Sequence, residues 1–370
     1  MIRIDEIYNH TIWPYIQQHI PNTRLFFCDP PGSTVPETLF NFGKDSLESN
    51  YIYCHDQEPI YLDIHKDLFN DVVLRNTDLN YNTGPKHCAI ITSELNSESV
   101  ESVCQTYKWQ QYYYFFHGWA ALDWYRGYNR TFLIQNYHSR QHQYSFISTN
   151  RIVGGRRDHR ILLMYHLLKQ NVKNALISFP NICPAENQSV LTLSQKLSNC
   201  YTDIVNTLEN ANFPWNMPGE SGHPMHSCWL SLFEENAVSL VHVVTETAYF
   251  GRKWHLTEKT FKPICLQMPF VLVSTAGSLE YLRRYGFQTF DAFWDESYDQ
   301  ETDDFLRLEK IAALLKQFDN MSEKQQHALH DACWPVVKHN FDHFYSGAFE
   351  QILWEEFSNM LTQIKQDFSK

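Results

Sequence analysis

The chain has 370 residues, enough for two domains with separate cores. Aromatic residues make up 15% of it and charged residues 19%, which excludes an intrinsically disordered protein. The net charge of −12 argues against a protein that coats nucleic acid, although basic residues cluster between Arg140 and Lys169.

The nine cysteines include no Cys-x-x-Cys pair and fall in apolar runs, as Cys28, Cys54 and Cys265 do. They read as small hydrophobes in a reducing compartment. The opening Met1-Ile-Arg-Ile-Asp5 does not read as a leader peptide, and no apolar run is of membrane-spanning length. The expectation is a soluble cytoplasmic protein with no transmembrane segment.

In chain order, a helix is expected from Asp5 to His19. Strands follow at Arg24–Cys28, Tyr51–Cys54, Val72–Leu74, Cys88–Thr92, Tyr112–Phe116 and Thr131–Ile134. Helices are expected at Ser97–Tyr107 and Trp119–Arg126. This alternation implies a parallel sheet flanked by helices.

A second α/β unit begins near Tyr144. The strand Tyr144–Thr149 leads to Asn150-Arg151, then Gly154-Gly155-Arg156-Arg157, then an amphipathic helix over about Asp158–Leu168, then a strand at Ala175–Phe179. Loops after strands bind ligands in open α/β sheets, and guanidinium groups suit diphosphate, so Arg151, Arg156, Arg157 and Arg160 compete for that role. The Gly-x-Gly-x-x-Gly dinucleotide fingerprint is absent.

The densest stretch is His255–Phe290. Thr257-Glu258-Lys259 opens a helix carrying Phe261, Ile264 and Leu266. Helix N-termini attract phosphate, and Lys259 adds a full charge there. Glu258 is placed to accept from sugar hydroxyls. Pro269–Ser274 reads as a strand buried on both faces. Ser278 reads as an N-cap for Leu279–Tyr285, with Gly286 as the left-handed C-cap. Thr302–Phe318 and Ser322–Cys333 read as helices, the second with a Ser-x-x-Gln capping box. The acidic stretch Asp291–Asp304 reads as a solvated turn or a sugar-positioning loop. Ser346–Lys365 carries an apolar stripe of Phe349, Ile352, Leu353, Phe357, Met360, Leu361 and Ile364. The expected organisation is therefore an N-terminal domain over residues 1–140, a second over 141–340, and a C-terminal helix over 341–370.

The segment Val241-His-Val-Val-Thr-Glu246-Thr247, followed by Leu256-Thr-Glu258-Lys259, resembles the donor-binding segment of alpha-1,3-fucosyltransferases, where a strand ending Phe-Glu-Asn-Ser precedes an Ile-Thr-Glu-Lys helix start. Thr247 stands where that family has Asn. Thr-Glu-Lys-Thr-Phe-Lys-Pro is also similar to phage and bacterial glycosyltransferase-like proteins. The resemblance implies an α/β protein of two Rossmann-like domains, the GT-B type, with the C-terminal helix crossing back to the first domain. It implies a nucleotide-sugar as co-substrate, no further cofactor, and a donor held by Asn150, Arg151, Arg157, Arg160, Glu246, Glu258 and Lys259.

Inverting transfer needs a base for the acceptor hydroxyl. Polar knots follow two strands, His55-Asp56-Gln57-Glu58 and His117–Arg126. Glu58 and Asp123 are the candidate bases, with Asp56 behind. The acceptor is a glycan, a lipid-linked group or a nucleic acid. In the last case Trp119, Trp124, Tyr125 and Tyr128, interleaved with Arg126 and Arg130, would stack on an extruded base of modified DNA. A third reading is a non-catalytic nucleotide-sugar-binding scaffold. His138 and His142 are four apart, His223–Cys228 is a dense polar cluster, and Asp56 with Glu58 offers hard ligands. No structural-zinc spacing and no His-Glu-x-x-His occurs, so no metal is expected.

Overall fold

The computed structural model describes residues 4–20, 23–27, 50–62, 88–129, 136–217, 219–220 and 229–369. Cys28, the expected strands at Val72–Leu74 and Thr131–Ile134, Arg130 and the His223–Cys228 cluster lie outside the described residues. The chain is a mixed α/β protein whose two main sheets are parallel. It divides into two compact units. The first comprises Met1–Asp123, Arg252–His255 and Glu350–Lys370; the second comprises Trp124–Gly251 and Leu256–Phe349. No helix among the described residues is long and apolar enough to cross a membrane. Every cysteine among the described residues is a free thiol.

The first unit opens with helical turns over residues 4–19. Its sheet runs β1 (Thr23–Phe27), β2 (Asn50–His55), β3 (Cys88–Thr92) and β4 (Gln110–Tyr113), all parallel and in sequence order. Helix α1 (Glu98–Tyr107) starts on Ser97, whose hydroxyl accepts from the Val100 N–H, and ends at left-handed Lys108. The last strand ends at Tyr113 rather than Phe116, because Phe116 already starts helix α2 (Phe116–Tyr125).

The boundary expected at residue 140 moves back to Asp123. Tyr125 explains the shift: its hydroxyl donates to the Glu258 carbonyl at 3.5 Å, and its own carbonyl accepts from the Tyr345 hydroxyl at 3.0 Å. Those contacts commit the end of α2 to the second unit.

The second unit holds β5 (Tyr144–Thr149), α3 (Asp158–Lys169), β6 (Ala175–Ser178), a short antiparallel hairpin of β7 (Ile182–Cys183) and β8 (Gln188–Ser189), β9 (Ser239–Thr245) and β10 (Phe270–Val273). Its parallel sheet is ordered β10-β9-β5-β6. All residues of β9 and β10 are buried, as expected of strands covered on both faces. The chain leaves β5 to form β6 on one side and returns to place β9 on the other. The crevice between β5 and β9 is thus a topological switch point, the usual ligand position in open α/β sheets.

Between β9 and β10 in the chain lies α4 (Phe261–Cys265), preceded by a single 3₁₀ turn over Glu258–Thr260. After β10 comes α5 (Ser278–Arg284), capped at its start by left-handed Gly277 rather than by Ser278. Asp299 does the capping work, accepting from the Leu279 N–H at 3.0 Å, while the Ser278 hydroxyl turns back to Ser274 and the Thr275 carbonyl. Gly286 takes φ +85° after the helix, the left-handed turn expected there.

Helix α6 (Asp304–Asp319) packs on α3 and β5. Helix α7 (Glu323–Tyr345) has the expected Ser322/Gln325 capping box but continues past Pro335, twelve residues beyond Cys333. Its buried residues Val337, Asn340, Phe341 and Phe344 lie after the proline, so packing holds the turns that Pro335 weakens. Helix α8 (Ala348–Phe368) buries Phe349, Leu353, Phe357, Met360, Leu361 and Ile364. From Glu350 onward it belongs to the first unit, where Trp354 meets Trp119 at 4.7 Å and Glu356 accepts from the Phe115 N–H at 2.9 Å.

Candidate functional site

The ends of β5 and β9 are tied together. The Thr245 hydroxyl donates to Asn150 Oδ1 at 3.0 Å, and the Asn150 side-chain amide donates to Ser148 Oγ at 3.1 Å. Beyond Asn150 the chain enters the loop Gly154-Gly155-Arg156-Arg157. A Cβ on Gly154 would meet the Glu186 carboxylate, which would have to swing aside. Gly155 and Arg156 then take φ +57° and +73°, consecutive left-handed residues that turn the chain into α3.

The first turn of α3 points inward. Buried Arg160 donates from Nη1 to the Ile152 carbonyl at 2.7 Å and from Nη2 to the carbonyls of Thr245 and Glu246 at 2.6 and 3.2 Å. Burial and then Arg157 push its guanidinium pKa down, while Glu246 and Glu258 offset them. Charged groups from three separate stretches of chain therefore act on Arg160. His159 stacks on Tyr249 at 4.8 Å, with Nε2 3.1 Å from the Glu246 carbonyl; burial holds it neutral, so the ring is a donor to that carbonyl.

Glu246 is fully buried at the end of β9. Its Oε1 accepts from the Thr257 N–H at 3.1 Å and the Thr260 hydroxyl at 2.6 Å. Its Oε2 accepts from the Thr257 hydroxyl at 2.6 Å and the Thr247 N–H at 3.2 Å. A carboxylate has about four acceptor sites, and all are occupied. The Glu-Lys turn is thus bolted to the end of β9. Lys259 extends from this frame with its side chain 33% exposed, and its Nζ reaches Thr257 Oγ1 at 3.1 Å, Glu258 Oε1 at 3.2 Å and Thr247 Oγ1 at 3.3 Å.

Several sequence expectations change in detail. Asn150, Arg160 and Glu246, expected to hold a ligand directly, use their hydrogen-bonding groups to hold the protein's own strand ends. Arg151 lines a cleft beside Asn150, whereas Glu258 is buried with Oε1 on the Lys259 ammonium. The α-helix after Lys259 has only five residues, so its dipole is weak and the ammonium is the main positive charge at the turn. The acidic stretch Asp291–Asp304 is partly exposed, and three of its carboxylates hold the protein's own fold. Glu296 binds Arg283 at 2.9 Å and the Phe290 N–H at 2.8 Å, Asp299 caps α5, and Asp304 binds Arg307 at 2.6 Å.

In the first unit, Asp56 is buried after β2 and accepts from the hydroxyls of Tyr8 at 2.8 Å and Tyr114 at 2.5 Å. Burial pushes its pKa up, against the two tyrosines, which lower it. Asp123 does not sit at the strand edge. It is the eighth residue of α2, roughly 10 Å along the helix from Phe116 at 1.5 Å per residue, and accepts from the Ile4 N–H at 3.1 Å. Glu58 is half-buried in the loop that follows β2.

Trp119 and Tyr125 are buried, which removes two of the four aromatics proposed to stack on an extruded base, and Tyr128 stacks on Phe233 at 6.0 Å. His138 and His142 do not share a helix: His138 pairs with Asp331, whereas His142 is buried against His330 at 4.4 Å. No cluster of three or more His, Cys, Asp or Glu suited to a metal ion occurs among the described residues.

Sequence reading passed over two features. One is the buried pair Lys253–Glu94, 3.3 Å apart, with Lys253 also donating to the Ile60 carbonyl at 2.5 Å. Both partners are isolated in the sequence, and no local pattern links them. The other is a cleft of about 280 Å³ beyond the ends of β5 and β6, lined by Asn150, Arg151, Phe179, Trp215 and Glu220 among others. Comparison with protein-family models, curated proteins and solved structures finds no match to the chain.

Proposed function

We propose that the chain is a glycosyltransferase of the two-domain GT-B type, moving a sugar from a nucleotide-sugar to an acceptor hydroxyl. The observation that carries this reading is the switch point of the second unit. There the arginine loop after β5 and the Lys259 turn after β9 stand on strand ends that Asn150, Arg160 and Glu246 lock together. Anions bind where preorganised positive groups meet a strand edge, and a departing nucleoside diphosphate is such an anion.

In this reading Lys259, Arg151 and Arg157 hold the diphosphate, and Glu258 accepts from a hydroxyl of the ribose or sugar. Of the three carboxylates considered for the base, Glu58 remains the candidate in this reading, half-buried in the loop after β2. Asp56 is clasped by two tyrosines, and Asp123 lies at the wrong end of its helix.

The test is calorimetric titration of the full chain with nucleoside diphosphates, beside the Lys259→Ala variant. A lost charge-assisted contact predicts about 10- to 100-fold weaker binding with an unchanged circular dichroism spectrum. Equal affinity in the variant, or no binding by the unmodified protein, refutes the proposal.

A further inference from the structure

The cleft beyond β5 and β6 has the form of a site for a planar ring. Phe179 and Trp215 are held by a pair of main-chain hydrogen bonds at 2.8 and 2.9 Å, one in each direction. The Trp215 indole N–H donates to the Ala211 carbonyl at 3.0 Å, which fixes the ring and leaves its face as a wall. Phe213 packs against both aromatics, at 4.7 and 5.1 Å, and stiffens that wall from behind.

The polar side is built as carefully. The Asn150 N–H donates to Ser178 Oγ at 3.2 Å, and the Ser178 hydroxyl donates to Glu220 Oε1 at 2.9 Å. The Met217 N–H also supports this carboxylate. Among the described residues these contacts use two of its four acceptor sites. Arg151 lines the same cleft and begins the cationic loop, so a ring in the cleft and a phosphate on the loop are neighbours. The volume, near 280 Å³, is at the small end of ligand clefts.

We propose that this cleft seats the nucleobase of the donor, stacked on Trp215, and that Glu220 selects bases carrying an exocyclic amino group over uracil. The inference rests on the nucleotide-sugar reading and sharpens it. Adenine, cytosine and guanine each turn an –NH₂ toward a carboxylate. Uracil offers a single ring N–H flanked by two carbonyl oxygens, which a carboxylate repels. A site that pairs buried polar groups with the right edge rejects the wrong edge strongly, because those groups are otherwise left unpaired.

The experiment is a titration of the full chain with ADP, GDP, CDP and UDP, repeated with Glu220→Gln and Trp215→Ala. The tightest amino-bearing nucleotide should bind at least about tenfold better than UDP. Glu220→Gln, whose amide can donate to a uracil oxygen, should shrink that ratio at least about fivefold. Trp215→Ala should weaken all four nucleotides alike. UDP binding as tightly as the best of the others overturns the proposal, as does a ratio that Glu220→Gln leaves unchanged. If the four bind equally and Lys259→Ala still weakens them, this inference fails while the diphosphate site stands. If none binds, both fall.

Discussion

Replacing Glu246 separates a residue that supports the site from one that touches the ligand. Glutamine keeps the length of the side chain but puts an amide –NH₂ where one carboxylate oxygen was. Whichever way the amide turns, that –NH₂ faces the main-chain N–H of either Thr257 or Thr247, both donors to Glu246 now. The threonine hydroxyls can reverse and accept; an N–H cannot. One buried N–H is left without an acceptor, at about 1–3 kcal/mol, and the remaining bonds lose their charge assistance. Removing a buried charge offsets part of this. The net expectation is a loss of about 2 kcal/mol, or roughly 4–8 °C in melting temperature for a unit of about two hundred residues. Differential scanning calorimetry of Glu246→Gln, run beside nucleotide titration, reads both quantities. The support role predicts a lower melting temperature together with weaker binding. Unchanged stability with lost binding would show that Glu246 meets the ligand directly and would refute the reasoning.

Arg307 is almost fully buried and donates to the carbonyls of Ser274, Tyr249 and Glu301 as well as to Asp304. Arg307→Met strands three carbonyls and a carboxylate, and should cost about 3–5 kcal/mol by denaturant titration. His142 and His330 are pushed down to about 3 and about 4, chiefly by burial. Their folded-state values lie below the ordinary histidine value, so the stability they contribute is present above about 6.5 and is lost as pH falls toward 3. His142→Phe should flatten the fall in melting temperature across that window, and an unchanged profile would show that the ring does not drive it. Asp56 is shifted the other way, so its buried charge disfavours the fold as pH rises above its raised value. Asp56→Asn should hold or raise stability at neutral pH and leave sugar transfer within a few-fold. A loss of transfer with the fold intact would make Asp56 the base.

What the sequence made legible is what local pattern controls. The apolar runs of β5 and β10 announce strands, the Ser322/Gln325 box starts α7 where the spacing predicts, and Gly286 ends α5 with the expected left-handed turn. The two cationic stretches were legible too, because each follows a strand. The direction of a side chain was not. Arg151 and Arg160 look alike in sequence, yet one lines the cleft and the other is buried on three carbonyls. That difference is set by the first turn of α3 packing beneath β9, a contact between residues about 85 apart. The same holds for Glu220, whose Ser178 partner is 42 residues away, and for α7, where burial beyond Pro335 outweighs the helix-breaking tendency a proline shows locally.

The full occupancy of the Glu246 carboxylate has an evolutionary corollary. Scaffold and surface are divided between different side chains: Glu246, Thr257 and Thr260 keep the turn in shape, while Lys259 is the more exposed of the Glu-Lys pair. Such a division of labour lets selection retune what is bound by changing the more exposed residue, with no rebuilding of the mount beneath it. A library randomised at Lys259 and Glu220 should therefore stay folded, whereas one randomised at Glu246 should be dominated by misfolded clones.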